Sequence, residues 1–548
     1  MKTIKSDTLK DALKRNPHLR EYINEFKRRE GVVPTFVPTL SRDMKSLSRP
    51  NLIYPVGDPI FIHIYTDKDG NKRYIAIEPR LTPDEEEKYK VLMDKMLELA
   101  PYEKAPENDE ELNELIDILF DKVVEEVPEK EPLKKKRKFL SFKFEKLKLT
   151  KEEIYKFKYL IKRDVLGVGP LEPLIRDPYI EDIHVIGPHN THIVHKIFDM
   201  LPTNIDFKDD IYLAEYLKNL SERIGRPVSE SNPIVDGTLP DGSRINIIYS
   251  TDVSIKGPSF TIRKYTAVPL SITQLISWGT LSAEIAAYLW LCLEYGMSIW
   301  ISGETASGKT TTLNAIIPFI KPQSKIYTAE DTPEVQVPHP VWQRLCTRER
   351  GVEGRVDLFD LLKAALRSRP NYIIVGEIRG KEGAIAFQAM QTGHPVLATF
   401  HAVSVKKLIQ RLTGDPINVP ITFIDNLNVV LIQQAVYRQG QFLRRCLVVE
   451  EIEGYYEEVE GVITRTVFEW DSVTDKHIFR GLYNSYILEN KIAQIAGFDD
   501  PRQIYDELFL RARILKRMVE LKIFDYYEVT KIIWSFYKKG LQGLPFRL

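Results

Sequence analysis

The residues with the most chemistry in them run from Gly303 to Thr310. Gly303-Glu304-Thr305-Ala306-Ser307-Gly308-Lys309-Thr310 fits the spacing GxxxxGK[ST] without a gap. Glycines so spaced let backbone N–H groups converge on phosphate oxygens, and a helix starting at the lysine adds the positive end of its dipole. In such a loop Lys309 reaches the β- and γ-phosphates of a nucleoside triphosphate, and the Thr310 hydroxyl binds Mg²⁺. Binding is half of the chemistry; cleavage needs acids for the metal and for the attacking water. Two acidic clusters qualify. Glu330-Asp331-Thr332-Pro333-Glu334 follows the apolar run Lys325–Thr328, and Gly376-Glu377-Ile378-Arg379-Gly380 follows Tyr372–Val375. One acid after a strand often only caps the next helix, so the case rests on both clusters following strands of one sheet. In ordinary phosphate-loop enzymes an Asp ends the second strand; here Glu377 comes one residue later, after Gly376. Two histidines bracket the short run Val396–Thr399. His401, beyond its carboxyl end, is placed to sense a γ-phosphate, whereas His394 precedes it and has no role that physics alone assigns.

The elements that must position these groups are legible around them. Met297–Ile301 leads into the loop as a buried strand, and Leu313–Ile317 follows as an apolar helical turn closed by Pro318. Lys325–Thr328, Tyr372–Val375, Val396–Thr399 and Val429–Gln433 read as further strands. Between them Leu358–Arg367, Gly383–Gln391 and Ser404–Leu412 read as helices, and Pro501–Gly540 as one or two amphipathic helices. This alternation predicts an α/β domain over residues 271–548, with a doubly wound, mostly parallel sheet. Ligands of such sheets gather outside the carboxyl ends of the strands, beside the loop.

Residues 131–270 predict an α+β domain. Its helix is Glu152–Arg163, and its strands are Ile183–Ile186, His192–Val194, Arg244–Tyr249 and Ser259–Arg263. It carries the basic residues Arg226, Arg244, Arg263 and Lys264, several of them at strand ends, where a single one is usually a solvated edge. Residues 1–130 predict a mostly helical, partner-binding region. Its helices are Leu9–Arg29, one from Thr82 as N-cap to Leu99, and Asn108–Val127. A hairpin joins Phe61–Tyr65 to Tyr74–Ile77 through Asp67-Lys68-Asp69-Gly70. The stretch Glu126–Lys138, with the basic run Lys134–Lys138, reads as a charged linker rather than as a contact for an anionic membrane.

Composition narrows the class. The 548 residues exceed what one core accommodates, so two or three domains are expected. Lys+Arg and Asp+Glu both number 77, so net charge argues for neither nucleic acid nor an acidic partner. No apolar run of about 18 residues or signal-peptide core is visible, which predicts a cytoplasmic protein. Cys292, Cys346 and Cys446 lie far apart without a CxxC, which implies neither disulfide nor zinc.

Four segments taken together carry a family resemblance: GETASGKTT (which includes Thr311), EDTPE, LRSRPNYIIVGEIRG and TGHPVLATFHA. They resemble the four boxes of the secretion ATPase superfamily, which powers type II and type IV secretion, type IV pili and archaella. Pro338-His339-Pro340-Val341-Trp342, Arg367-Ser368-Arg369-Pro370 and Phe400-His401-Ala402 resemble its archaeal branch, above all the archaellum motor ATPase. So do Tyr54–Ile60 (YPVGDPI) and Leu166–Leu171 (LGVGPL). The resemblance implies a RecA-like fold for the phosphate-loop domain, ATP and Mg²⁺ as cofactors, and a homohexameric ring. The implied ring is cytoplasmic, at the inner face of the cell membrane, and acts on a polytopic platform protein with other archaellum or pilus components.

Residue by residue, the resemblance assigns nucleotide binding to Gly303, Glu304, Thr305, Ala306, Ser307, Gly308, Lys309, Thr310 and Thr311. It makes Thr310 and Glu377 metal residues, Glu377 through water. Glu334 becomes the general base that orients the attacking water, supported by Glu330 and Asp331, and His401 the γ-phosphate sensor. Arg244 and Arg263 resemble arginines that swing onto the nucleotide, and Arg348 and Arg350 are weaker candidates for a subunit boundary. The four-cysteine zinc element of many bacterial assembly ATPases is missing, which argues against that branch. An archaeal pilus or secretion ATPase remains the alternative. A DNA motor is disfavoured because no basic stripe with interleaved aromatics exists, and an ABC ATPase because no LSGGQ-like segment follows the loop.

Overall fold

The computed structural model describes residues 9–40, 42–128, 146–265, 268–348, 354–438 and 441–548. They form two compact units, Met1–Tyr265 and Thr266–Leu548. The basic run Lys134–Lys138 and Arg350 lie outside the described residues.

The carboxy-terminal unit is built on a nine-stranded sheet. Its parallel part has the order Trp342–Cys346, Ile326–Glu330, Tyr372–Ile378, Val396–Phe400, Ile299–Gly303, Val429–Arg438. Gln441–Tyr456, Gly461–Asp471 and Lys476–Phe479 then continue it antiparallel. Ile299–Gly303, Ile326–Glu330 and Val396–Phe400 are buried at every position, as strands covered on both faces must be. Successive side chains alternate between two cores, Ile299, Ile301, Leu397 and Leu431 in one, Trp300, Ala398, Val430 and Ile432 in the other. Helices Ala283–Glu294, Lys309–Ile316, Ile504–Glu520 and Tyr526–Lys539 supply the first core. Leu358–Ser368, Glu382–Gln391 and Val405–Thr413 supply the second. Each such Ile or Leu contributes about 1.5–3 kcal/mol by leaving water. The arrangement is the doubly wound, RecA-like α/β fold expected. Trp342–Cys346 and the antiparallel extension were not legible: the former is a half-exposed edge strand without an apolar run.

In the amino-terminal unit a six-stranded antiparallel sheet has the order Ile234–Thr238, Arg244–Ile248, Ser259–Arg263, Ile180–Ile186, Thr191–His195, Asp199–Pro202. The expected hairpin is present as Phe61–Thr66 and Lys72–Ile77, and Asn51–Pro55 and Thr35–Phe36 extend it to four strands. The single helix expected over Leu9–Arg29 is two, Leu9–Arg15 and Pro17–Glu30. Pro17 takes the first helical position of the second, and Asn16 before it leaves helical backbone at φ −124°, ψ 88°. The helix expected to reach Val127 ends at Val123, because Val124–Glu126 pairs as a strand with Leu147–Leu149. Both larger sheets contribute to one core, Ile62 and Tyr74 from one, Ile183 and Ile193 from the other. Tyr54 and Tyr74 donate from their hydroxyls to Asp177 Oδ2 at 2.7 and 2.8 Å within that core. Burial pushes the Asp177 carboxyl up.

Candidate phosphate-binding and catalytic site

Strand Ile299–Gly303 ends in the glycine loop, and helix Lys309–Ile316 begins at its lysine. Gly303 has φ +155°, and a Cβ there would run into the Gln433 carbonyl oxygen of the adjoining strand, so only glycine lets the loop leave the sheet this way. At the exposed crest Ala306 holds φ 59°, a strained conformation of the kind functional loops retain. Lys309 is 8% exposed. Its Nζ donates to the carbonyl oxygens of Gly303 at 3.2 Å and Glu304 at 2.8 Å, which holds the ammonium against the loop. Thr310 and Thr311 are half-buried in the first helical turn.

Because these strands run parallel, Gly303, Glu330, Glu377 and His401 belong to one edge of the sheet. Glu330 is the last residue of its strand and fully buried. Its Oε1 accepts the N–H groups of Glu334 at 2.8 Å and Val335 at 2.7 Å, which folds the 331–334 turn. Its Oε2 is buried with no hydrogen-bond partner among the described residues, and Arg344 Nε stands 3.9 Å away. A Cβ on Gly376 would meet Glu330 Cγ at 3.2 Å, so glycine lets the second acidic strand lie against this carboxyl. Asn314, on the phosphate-loop helix and 8% exposed, completes the turn. It donates to Glu334 O at 3.1 Å and accepts from Gln336 N at 2.8 Å. The backbone of Glu334 is thus tied to the helix that carries Thr310.

Burial pushes the Glu330 carboxyl up to about 7, against the two N–H donors and Arg344, which favour its charge. The folded state therefore holds this proton while the unfolded chain releases it near 4.5. The stabilising effect of the neutral acid is complete below that value and is lost as pH rises to about 7. Denaturant unfolding across this window should show stability falling by roughly 3 kcal/mol from this group. Glu330→Gln, with no proton to lose, should remove that part of the slope; identical slopes would rule the assignment out.

Glu377 lies inside its strand, Tyr372–Ile378, rather than past its end as the sequence suggested. The register with the next strand shifts between Val375 and Ile378, a bulge that re-aims the side chain. Its Oε2 takes a 2.7 Å hydrogen bond from Arg379 Nη2. His401 Nε2 lies 2.9 Å from Oε1, but out of line for a hydrogen bond, so Oε1 is a buried acceptor without one. Burial opposes charge on Glu377, yet Arg379, His401 and Lys309 hold its carboxyl below the ordinary range. Burial first, then Lys309, pushes the His401 imidazole down. Arg379 is also within electrostatic reach of Asp331 and Glu334. Lys309, both acidic clusters and His401 are therefore brought together. Ser302 fixes the segment around His401: its Oγ donates to Ala402 O at 2.8 Å and receives Ala402 N at 3.0 Å.

His394, at the amino end of the same strand, is on the opposite edge and near Thr392 Oγ1 at 3.2 Å. Arg348 Nε donates to Gly354 O at 2.9 Å. Arg244 and Arg263 belong to the amino-terminal unit, where they stand directly opposite each other on paired strands. Asp182 faces Arg263 from the next strand, 4.0 Å away. Lys264, next in the chain, is half-buried and donates to Leu174 O at 3.0 Å, and burial lowers its ammonium to about 8. Sequence reading missed Asn314, Ser302 and Arg379. Asn314 left a signal, a polar residue within the otherwise apolar turn Leu313–Ile317; Ser302 and Arg379 left none that spacing resolves.

The donor set fits a magnesium-bound triphosphate. Glu377 Oε1 and Ser307 Oγ are buried polar atoms without hydrogen-bond partners among the described residues. Among the described residues, no group of three or more His, Cys, Asp or Glu side chains is arranged to hold a metal unaided.

With this geometry in place, comparison with known proteins fixes the class. The sequence pattern of the family described as "Type II/IV secretion system protein" matches residues 164–461, more than half of the chain. The chain belongs to that family of secretion ATPases. It is 66% identical over 543 residues to an uncharacterized protein, MJ0900, of Methanocaldococcus jannaschii, and covers 98% of each chain. It is also 33% identical over 238 residues to the conjugal transfer protein TrbB of Rhizobium radiobacter, covering 41% of this chain and 70% of that one. Among solved structures it is similar to the pilus retraction motor PilT with bound ADP, at 20% identity and a TM-score of 0.37, covering 58% of this chain and 84% of that one. No helix among the described residues is long and apolar enough to cross a membrane.

Proposed function

We propose that the protein is a Mg-dependent ATPase, a hexameric motor that couples hydrolysis to domain closure and drives archaellum filament assembly and possible rotation against a membrane platform protein. The observation that carries the enzymatic part is the gathering of Lys309, Glu377, His401 and the Glu330–Glu334 turn at one strand edge. Lys309 binds the β- and γ-phosphates through its ammonium, and the loop from Gly303 to Thr311 binds them through backbone N–H groups. Glu334 takes the proton of a water that attacks the γ-phosphorus as the bond to ADP breaks, and His401 donates a hydrogen bond to the γ-phosphoryl oxygens. Glu330 and Asn314 hold the Glu334 turn in register with the loop helix. Thr310, and Glu377 through water, would hold magnesium, which would supply positive charge against the phosphates. Arg244 and Arg263 stabilise charge on the transferring phosphoryl group, a task that suits a planar, permanently charged guanidinium. Residues 1–130 are the partner-binding region, 131–270 the amino-terminal ATPase domain and 271–548 the phosphate-loop domain. The protein works in the cytoplasm at the inner face of the membrane.

A second reading, the motor of an archaeal type IV pilus or of a type II/IV secretion or transfer system, draws on the similarity to conjugal transfer proteins. The site chemistry is the same in both. The test is ATP hydrolysis by the purified full chain with and without chelator, alongside sedimentation velocity. Magnesium-dependent turnover by a six-subunit species is expected. Negligible turnover even with the membrane platform and lipid present would leave a nucleotide-gated scaffold instead.

A further inference from the structure

The strand that borders the phosphate loop on the side away from the acids continues into an antiparallel ribbon. Val429–Arg438 pairs with the loop strand through Gly303↔Gln433, then extends past it, and Gln441–Tyr456 returns beside it. On this ribbon Ala435 faces Arg444 and Tyr437 faces Phe442. Side chains two apart share a face, so Arg444, Phe442 and Tyr437 lie on one surface. That surface adjoins the loop, because Arg444 Nε donates to Ala306 O at 2.9 Å. Further out, the Arg444 guanidinium lies 5.7 Å from the Phe442 ring centre, and the Phe442 and Tyr437 rings are 5.3 Å apart at 67°. Tyr437 is 81% and Phe442 40% exposed, so two adjacent aromatic rings face solvent.

The charge distribution gives this surface an occupant. Glu330 and Glu377 lie on strands on the other side of the loop strand, and His401 directly follows a third. A triphosphate seated in the loop with its γ end toward those groups would have its base end toward the ribbon. We infer that Phe442 and Tyr437, with Arg444 beside them, form a stacking ledge for the base of the bound nucleoside triphosphate. The inference rests on the nucleotide-binding reading above and adds where the base goes. Flat apolar rings beside a guanidinium suit a purine, which stacks on aromatic faces and accepts hydrogen bonds from the cation. Arg444 also positions the loop through Ala306, so a base drawn onto the ledge bears on the loop that holds its phosphates.

The experiment is calorimetric titration of the full chain with a non-hydrolysable ATP analogue plus Mg²⁺, and separately with inorganic tripolyphosphate. The Tyr437→Ala/Phe442→Ala double variant should bind the analogue about tenfold more weakly and tripolyphosphate as the wild type does. Phe442→Tyr, which keeps a stacking ring, should bind the analogue within about twofold of wild type. Equal affinity of the double variant and the wild type for the analogue would overturn the ledge. So would a parallel loss for both ligands, or lost self-association in sedimentation with nucleotide affinity intact, which would give the face to a second copy. A wild-type chain that binds neither ligand would overturn the nucleotide reading itself.

Discussion

Replacing Glu334 by Gln is expected to lower ATP turnover by about 10²–10⁴ while leaving affinity for MgATP within a few-fold of wild type. The amide has the shape of the carboxylate and can still hold a water, but it cannot take that water's proton as the bond to phosphorus forms. The backbone should not move, because Glu330 and Asn314 fix the turn through the main chain of Glu334, not through its side chain. The loss therefore falls on kcat and spares KM. Single-turnover hydrolysis together with equilibrium binding separates the two; turnover at the wild-type rate would remove Glu334 from the chemistry.

Lys309→Ala should abolish turnover and weaken nucleotide binding together. The ammonium is buried against its own loop, where it answers the Gly303 and Glu304 carbonyls and lies within electrostatic reach of Glu377 and His401. Its removal takes away the cation that offsets the phosphate charge in a site of low dielectric, which costs more there than at a surface. The expected loss in kcat/KM is at least about 10³. Retention of even a tenth of wild-type turnover would mean that the phosphates bind elsewhere.

What sequence made visible follows from how strongly each feature constrains local structure. The phosphate loop and the strands beside it announce themselves because central parallel strands are apolar throughout and the loop tolerates glycine alone at Gly303. The Thr82 cap of helix Pro83–Leu99 is visible for the same reason, and its capping box is complete in the structure. The ribbon was invisible because its faces are mixed: Gln441–Tyr456 carries Arg444 and Arg445 side by side, one turned to Ala306 and the other to Asp475. The break at Asn16–Pro17 was overlooked although proline carries the signal, because the apolar spacing continues across it. At the site, residue types were legible and geometry was not. No spacing shows that Glu377 sits in a bulge, or that Glu330 spends one oxygen on the turn that carries Glu334.

The most direct measurement is a crystal structure of the full chain with Mg²⁺ and a non-hydrolysable ATP analogue. The account predicts one magnesium on the Thr310 hydroxyl and the β- and γ-phosphates, Glu377 reaching it through water, and a water between the Glu334 carboxylate and the γ-phosphorus. A triphosphate seated in the loop with the Glu334 or Glu377 carboxylate turned away from it, across the sheet, would contradict it.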